Sequence, residues 1–191
     1  KHLHLDVMDQ NYVPNLALNY DSILAISNQF PECILDIHLM VKSPVAALNR
    51  LKGVKARRIF IHTDSDDSMT KILKSIDSLS AEAGITLNPN QSWNEISPYL
   101  TKVKNGLIMG VKPGFSGQKL QNQALESLTH IQKHPEVAWS FDGGVNYQTL
   151  PSLIPFPITH FVLGSALFSG KPEENTKKIQ SLLYSKQPIH I

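Results

Sequence analysis

Short apolar runs alternate with longer amphipathic segments along the whole chain. The runs are apolar on both faces, as in buried parallel strands, and the segments between them have helical spacing. The predicted strands are His2–Met8, Ile34–Met40, Arg58–His62, Ile85–Asn88, Leu107–Val111, Ala138–Asp142 and Phe161–Gly164. The predicted helices are Tyr20–Gln29, Pro44–Leu51, Ser68–Ala83, Trp93–Leu100, Gln121–Lys133, Tyr147–Leu153 and Glu173–Tyr184. This alternation predicts an α/β fold with a parallel sheet.

Two architectures fit seven β-then-α units: a doubly wound open sheet, or a TIM (β/α)8 barrel whose first β-α unit is missing from the sequence. No glycine-rich dinucleotide fingerprint follows the first strand. Polar residues and glycines instead gather at or near the predicted carboxyl ends of the strands, where barrel enzymes carry their chemistry. They are Asp6, His38, His62, Asn88, Gly114, Asp142 and Gly164. We therefore predict one barrel domain over residues 1–191, with roughly 30 further residues upstream.

Composition narrows the possible functions. The chain has 191 residues, 41% of them hydrophobic, which suits one domain. A net charge of +2 gives no reason to expect nucleic acid, and no apolar stretch approaches the ~20 residues of a membrane span. Cys33 is the only cysteine, which excludes an intrachain disulfide and favours a cytoplasmic protein. We expect Cys33 to be a small buried residue.

His4, Asp6, His38 and Asp142 are candidate metal ligands. Side chains alternate across a strand, so His4 and Asp6 share one face, while His38 and Asp142 lie near the ends of two other strands. Two imidazoles and two carboxylates can hold one divalent cation, and a carboxylate beside it can act as a base. The mixed donors suit Zn, Fe, Mn or Co without choosing among them. Ordinary polar residues on a half-exposed strand remain the alternative.

Glycine-rich loops follow three late strands. Glycines let the backbone approach a ligand, and free N–H groups bind phosphate. The loops are Gly110–Gln118, Gly143-Gly144 and Gly164-Ser165, which match the usual phosphate site of the barrel fold. Met8, Met40 and Met109 lie at strand ends and could either fill the core or line the space around a reacting carbon.

Two polar features have simpler interpretations. We expect His62 to support a ligand through a hydrogen bond rather than to bind metal itself. The segment Asp64–Asp67 lacks the glycine and distal glutamate of an EF-hand loop, so we expect it to cap the next helix.

Six motifs together resemble the ribulose-phosphate 3-epimerase family. The family's H-x-D-x-M-D-G-x-x-x-P-N corresponds to 4–15, and its D-x-H-L-M-V to Asp36–Val41. The remaining matches are Leu87–Pro89, Pro113–Gln118, Asp142–Val145 and Gly164–Ala166. Their order and approximate spacing hold over nearly the whole chain.

The resemblance implies a pentose phosphate pathway isomerase that interconverts D-ribulose 5-phosphate and D-xylulose 5-phosphate. It implies that His4, Asp6, His38 and Asp142 bind the metal. Asp6 and Asp142 would also be the acid/base pair that exchanges the C3 proton through a metal-stabilised enediolate. The substrate and its phosphate would contact His38, Gly114, Phe115, Ser116, Gly117, Gly143, Gly144, Gly164 and Ser165, with the three methionines as lining. Family members form homo-oligomers, so the resemblance implies a homo-oligomer that binds a sugar phosphate. The charge and the apolar pattern predict neither nucleic acid nor membrane as a partner.

The chain departs from the family pattern at several positions. Gln10 replaces a glycine, Asn11 a histidine, Ser116 a glycine and Asp64 a glutamate. If the family's glycine takes a positive φ, Gln10 is expected to force a different turn.

Three alternatives remain open. An epimerase of a ketohexose phosphate such as allulose 6-phosphate would share the same machinery. A decarboxylase or aldol enzyme of the hexulose-phosphate type is disfavoured because the Asp-x-Lys-x-x-Asp pattern of those enzymes is missing from the first strand. A decayed, non-catalytic sugar-phosphate-binding relative is the third, and a low metal content after purification would indicate it.

Overall fold

The computed structural model describes residues 1–184, in which seven strands alternate with helices. The strands are β1 His2–Met8, β2 Ile34–Met40, β3 Ala56–His62, β4 Glu82–Leu87, β5 Asn105–Met109, β6 Ala138–Asp142 and β7 Ile158–Val162. The helices are α1 Tyr20–Gln29, α2 Pro44–Arg50, α3 Met69–Asp77, α4 Trp93–Ile96, α5 Asn122–Ile131, α6 Leu150–Leu153, α7 Ser165–Phe168 and α8 Pro172–Tyr184. No helix in this range has the length and apolar character of a membrane span.

The strands hydrogen-bond in the order of the sequence, from β1 to β7. A doubly wound sheet would instead reverse its strand order at a switch point. The sequential order of parallel strands, each followed by a helical segment, is the topology of the (β/α)8 fold with seven of its β-α units. The predicted fold class is therefore confirmed.

The chain divides into two compact units. The first contains Lys1–Leu87 and Ser92–Leu107, and the second contains Asn88–Gln91 and the residues from Ile108 onward. β5 begins in the first unit and ends in the second. The single domain over residues 1–191 remains a prediction, and residues 185–191 lie outside the described part of the chain.

The first unit is built around β2, which is buried at six of its seven positions. Leu35, Ile37 and Leu39 point to one face and are almost completely inaccessible to solvent. The opposite face carries Asp36 and His38, which are equally buried. Buried polar groups need hydrogen-bond or ionic partners. A polar cluster is therefore expected inside this unit, on the face of β2 that carries Asp36 and His38.

The second unit has the same alternation on β6. Trp139 and Phe141 are fully buried on one face, while Ser140 and Asp142 lie on the other. The apolar face of α5, formed by Ala124, Leu128 and Ile131, is also buried. Packing of these apolar faces fixes the position of β6. The strand ends at Asp142, and Gly143 and Gly144 follow directly.

Several predicted boundaries are wrong for local reasons. α3 ends at Asp77 instead of Ala83, because the chain turns through Ser80 at φ 57° and continues as β4. The helix predicted over Trp93–Leu100 ends at Ile96, and a 3-10 helix, Ser97–Lys102, follows. Pro98 cannot donate the backbone hydrogen bond that a longer α-helix would need.

Two side-chain expectations are also corrected. Cys33 is partly exposed just before β2 and is not a buried residue. Asp67 does not cap the helix that follows it, because Ser68 is the N-cap residue of α3. The Oδ2 of Asp67 instead accepts a hydrogen bond of 2.9 Å from the N–H of Val45 at the start of α2.

Candidate active site

β1 and β2 bring His4, Asp6 and His38 together. Asp6 and His38 are paired in the register of the two parallel strands. The Nδ1 of His38 lies 3.2 Å from Asp6 Oδ1, and the Nε2 of His4 lies 3.8 Å from the same oxygen. A ligand atom from each of the three residues lies within 4.8 Å of the others, so this cluster could hold a metal ion.

The imidazole of His4 is buried and makes no hydrogen bond through either ring nitrogen within the described residues. Burial, and then the nearby His38, lower the pKa of His4 to about 4. Its ring is therefore neutral at pH 7, which is the form that binds metal ions. Buried nitrogens without partners are costly, and a bound cation would satisfy one of them. The donor set of His4, Asp6 and His38 fits the Zn, Fe, Mn or Co that the sequence predicts.

Asp6 is the reachable member of the cluster. Its side chain is 40% exposed, compared with 9% for His4 and 0% for His38. Burial tends to raise the pKa of Asp6, but the hydrogen bond from His38 and then the charge of that ring hold the pKa below its ordinary value. Asp6 is thus an ionised carboxylate that a ligand can contact while the two histidines stay inside.

His62 at the end of β3 supports His38. The Nε2 atoms of the two rings are 2.8 Å apart, so one of them donates to the other. If His38 donates from Nδ1 to Asp6, then its Nε2 accepts from His62. Burial, and then the charge of His38, hold the pKa of His62 well below its usual value. The contact matches the supporting hydrogen bond expected from the sequence.

The loop after β1 packs beside these histidines through Tyr12, a residue that the motifs do not single out. The ring centroids of Tyr12 and His62 are 4.8 Å apart. The hydroxyl of Tyr12 donates to Asp64 Oδ1 at 2.8 Å. The carboxylate of Asp9 accepts from the backbone N–H groups of Asn11, Tyr12 and Lys42 at 2.8–2.9 Å. An aspartate that bonds backbone N–H groups two and three residues later is an Asx-type turn, a pattern visible at Asp9.

Gln10 keeps a left-handed backbone conformation. Its φ is 61°, one of two positive values at non-glycine residues in the described chain. If the family's glycine takes a positive φ, a different turn is expected for a glutamine at this position. The N–H of Asn11 donates to the Asp9 carboxylate, and the N–H of Gln10 donates to the carbonyl of Asn15. These two bonds hold Gln10 in the left-handed region.

The loop after β5 needs its glycines. Gly114 has φ 114° and Gly117 has φ 76°, values that other residues rarely adopt. The side chain of Gln118 closes the loop by donating to the carbonyls of Lys112 at 2.7 Å and Phe115 at 2.8 Å. Phe115, Ser116 and Gly117 are exposed, and Gly114 is buried.

The loop after β6 packs tightly on the one after β5. A Cβ atom on Gly144 would lie 2.8 Å from the Cα of Leu120, and one on Gly110 would overlap the carbonyl oxygen of Gly143. The N–H of Gly110 donates to the carbonyl of Asp142 at 2.6 Å. Backbone groups of the two loops therefore approach each other closely only because these positions are glycines.

The remaining predicted site residues lie on both units. Gly164 is the N-cap residue of the short helix α7, and Ser165 is the first residue of that helix. Met8 pairs with Met40 in the register of β1 and β2, at the ends of both strands. Met40 and Met109 are buried, and Met8 is partly exposed. Asp142 is the last residue of β6 and is partly exposed.

Solved structures share this fold at low sequence identity. A 3-keto-L-gulonate-6-phosphate decarboxylase from Vibrio cholerae matches with a TM-score of 0.71 at 12% identity, covering 88% of this chain and 80% of its own. KGPDC from Streptococcus mutans matches with a TM-score of 0.74 at 10% identity, covering 97% and 85%. Both are TIM-barrel enzymes, and the likeness shows that this chain has their fold.

Relatives identified by sequence show the family to which the chain belongs. Ribulose-phosphate 3-epimerase from Aquifex aeolicus is 31% identical over 189 residues, which cover 96% of this chain and 85% of that protein. The enzyme of the same name from Helicobacter pylori strain J99 is 32% identical over 192 residues, covering 98% and 87%. Residues 1–168 also match the sequence profile of the ribulose-phosphate 3 epimerase family. The resemblance of the motifs is thus confirmed, and the chain belongs to the ribulose-phosphate 3-epimerase family of enzymes.

Proposed function

We propose that this enzyme interconverts D-ribulose 5-phosphate and D-xylulose 5-phosphate by moving the proton on C3. The observation that carries the proposal is the cluster of His4, Asp6 and His38, in which a reachable carboxylate lies beside a buried imidazole without hydrogen-bond partners. Family membership supplies the substrate class, and the cluster supplies groups suited to proton transfer beside a cation.

The proposed metal ligands are His4, Asp6, His38 and Asp142, the four residues that the family motifs assign. His4 fits because its ring is neutral and buried, and Asp6 fits because it is ionised. A divalent cation held by such donors supplies a Lewis acid that stabilises the negative charge developing on a substrate oxygen when C3 loses its proton.

Asp6 and Asp142 are the proposed acid and base. One carboxylate removes the proton from C3 on one face of the substrate, and the other returns a proton to the opposite face, which inverts the configuration. Asp6 is ionised and exposed enough to accept a proton from a bound ligand. Asp142 has its role from the Asp-Gly-Gly-Val motif at 142–145.

The glycine-rich loops are the proposed phosphate contacts. Their residues are Gly114, Phe115, Ser116, Gly117, Gly143, Gly144, Gly164 and Ser165. The positive φ values of the glycines at 114, 117, 143 and 144 leave backbone N–H groups in orientations that suit an anion. Met8, Met40 and Met109 are the proposed apolar lining around the reacting carbon of the substrate. The proposed oligomeric state of the active enzyme is a homo-oligomer.

Proton NMR in D₂O tests the reaction directly. The metal-supplied protein is incubated with D-ribulose 5-phosphate, and we expect deuterium at C3 together with D-xylulose 5-phosphate. Asp6→Asn and Asp142→Asn should each abolish turnover, whereas the exposed Asp77→Asn should not change it. Normal turnover in either site variant would refute the acid/base assignment.

Two other outcomes separate the alternatives. Exchange with allulose 6-phosphate but not with the pentose phosphate would indicate a ketohexose phosphate epimerase. Absence of exchange with both sugars, in protein shown by elemental analysis to contain the metal, would favour a sugar-phosphate-binding relative without activity.

A further inference from the structure

A cavity lies in the first unit at the amino-terminal ends of β2 and β3. His38 and His62 lie toward the other ends of these same strands. The cavity has a volume of about 790 Å³, within the range of small-molecule sites. Its walls are formed by three segments: Cys33–Leu35, Lys52–Arg57 and Ser78–Ser80.

The lining of this cavity is strongly basic. Lys52, Lys55 and Arg57 are exposed, and none of them forms an ion pair or a side-chain hydrogen bond with residues 1–184. No acidic residue belongs to the described lining. The carboxylate of Glu32, next to the cavity in sequence, accepts from the thiol of Cys33 at 3.8 Å instead of pairing with a cation. Three unpaired cations around one concave surface create a positive potential that attracts anions.

Helix capping does not account for these cations. Basic side chains are common at helix carboxyl ends, where they stabilise the last carbonyls. α2 and α3 both end beside this cavity, and backbone N–H groups already bond carbonyls in the last turn of each helix. The N–H of Leu51 donates to the carbonyls of Ala47 and Leu48, and the N–H of Ser78 donates to that of Lys74.

The rest of the lining suits an organic anion better than a bare ion. Ser80 offers an exposed hydroxyl group, and Ile34, Val54 and Leu79 contribute apolar surface. We propose that the cavity binds a small metabolite with two phosphate groups, held by Lys52, Lys55 and Arg57, as a site separate from the catalytic residues. The proposal does not depend on which sugar phosphate the enzyme converts.

Cys33 provides a local reporter for this site. It lines the cavity, it is partly exposed, and it is the only cysteine in the chain. Alkylation by iodoacetamide, an uncharged reagent, can be followed by mass spectrometry with and without fructose 1,6-bisphosphate, with sodium chloride added to match ionic strength. We expect the bisphosphate to slow alkylation of Cys33 several-fold.

Charge-matched variants locate the effect. Replacing Lys52, Lys55 and Arg57 together by glutamine should remove the protection and weaken binding, measured by calorimetry, roughly tenfold or more. The control variant has glutamine in place of Lys71, Lys133 and Lys178, which lie outside the cavity lining. It should retain both the protection of Cys33 and the binding of the bisphosphate. Should the first triple variant fail to fold, the single variants Lys52→Gln and Arg57→Gln replace it, each with reduced protection expected.

Three results would overturn the proposal. The first is an unchanged alkylation rate of Cys33 in the wild-type protein at saturating bisphosphate. The second is equal loss of binding in both triple variants, which would indicate net charge alone. The third is equal protection by inorganic phosphate at the same concentration, which would show that the organic part of the ligand is not recognised.

Discussion

The Tyr12 hydroxyl donates a hydrogen bond of 2.8 Å to Asp64 Oδ1 and thereby joins the loop after β1 to the loop after β3. The Tyr12 ring lies against His62, which in turn contacts His38. The loop is therefore linked to the metal-ligand candidates through one aromatic ring and one histidine.

Tyr12→Phe should remove the hydroxyl bond and leave the ring contact with His62. Because the bond is exposed, we expect the free energy of unfolding in urea to fall by only about 0.5–1 kcal/mol. Tyr99→Phe is the matched control, since the hydroxyl of Tyr99 makes no hydrogen bond within residues 1–184. Equal effects of the two substitutions would mean that the Asp64 bond contributes nothing of its own.

Gln10→Gly should stabilise the protein. A left-handed conformation costs an ordinary residue about 1–2 kcal/mol, and glycine avoids this cost but loses about 0.5–1 kcal/mol through its greater freedom when unfolded. The balance predicts a gain of between zero and about 1.5 kcal/mol in the free energy of unfolding, measured with denaturant. Gln132→Gly, at an exposed position with φ −61°, should destabilise instead, because only the entropy term applies there. A loss of stability at both positions would show that Gln10 is not strained.

Asp36 and Arg58 form a buried, bidentate ion pair. The guanidinium donates from Nε to Oδ1 at 2.7 Å and from Nη2 to Oδ2 at 2.6 Å, and His2 contacts both partners. Arg58→Met alone should lower the unfolding free energy by about 3–5 kcal/mol, because the buried carboxylate loses both bonds to the guanidinium and keeps only His2 beside it. The double variant Asp36→Leu/Arg58→Met should recover most of that loss. Additive losses in the double variant would contradict this.

Asp9 predicts a pH dependence of stability. Burial opposes its ionisation, but the backbone hydrogen bonds from Tyr12, Lys42 and Asn11 outweigh that effect and hold its pKa below the usual 3.8. A lowered folded pKa means that the contribution of Asp9 is complete above pH 3.8 and is lost as the pH falls through the folded value. The difference in unfolding free energy between wild type and Asp9→Asn should therefore be constant near neutral pH and shrink below about pH 4. A difference that stays flat to pH 2, or that Asp77→Asn reproduces, would rule this out.

How far the sequence predicts this molecule depends on the range of the forces involved. The bounds of β1 and β2 follow from an apolar pattern that ends where polar residues begin, and the structure has those bounds. The family motifs identify His4, Asp6 and His38 as a group, and β1 and β2 place them together. The strand bounds depend on local sequence, and the grouping of the three site residues depends on a recognisable motif.

Features that depend on distant partners were not predictable. Asp67 was expected to cap its own helix, but it bonds to α2, twenty-two residues earlier. The positive φ of Gln10 is imposed by hydrogen bonds on both sides of it, which outweigh its intrinsic preference. The exposure of Cys33 depends on a cavity formed by three segments that are separate in sequence. Tertiary contacts override local preference at each of these positions.

Metal binding should appear as thermal stabilisation before any activity is measured. A cation that binds only the folded state stabilises it by RT ln(1 + [L]/Kd), or about 2.7 kcal/mol at a free concentration of 100 Kd. We expect Zn, Mn or Co to raise the melting temperature of chelator-treated wild type and to leave that of His4→Ala unchanged, because His4 offers the buried nitrogens that lack partners. His130→Ala, at an exposed position, should respond like wild type. A rise in His4→Ala equal to that in wild type would show that the cation binds elsewhere, and the proposed ligand set would then fail independently of turnover.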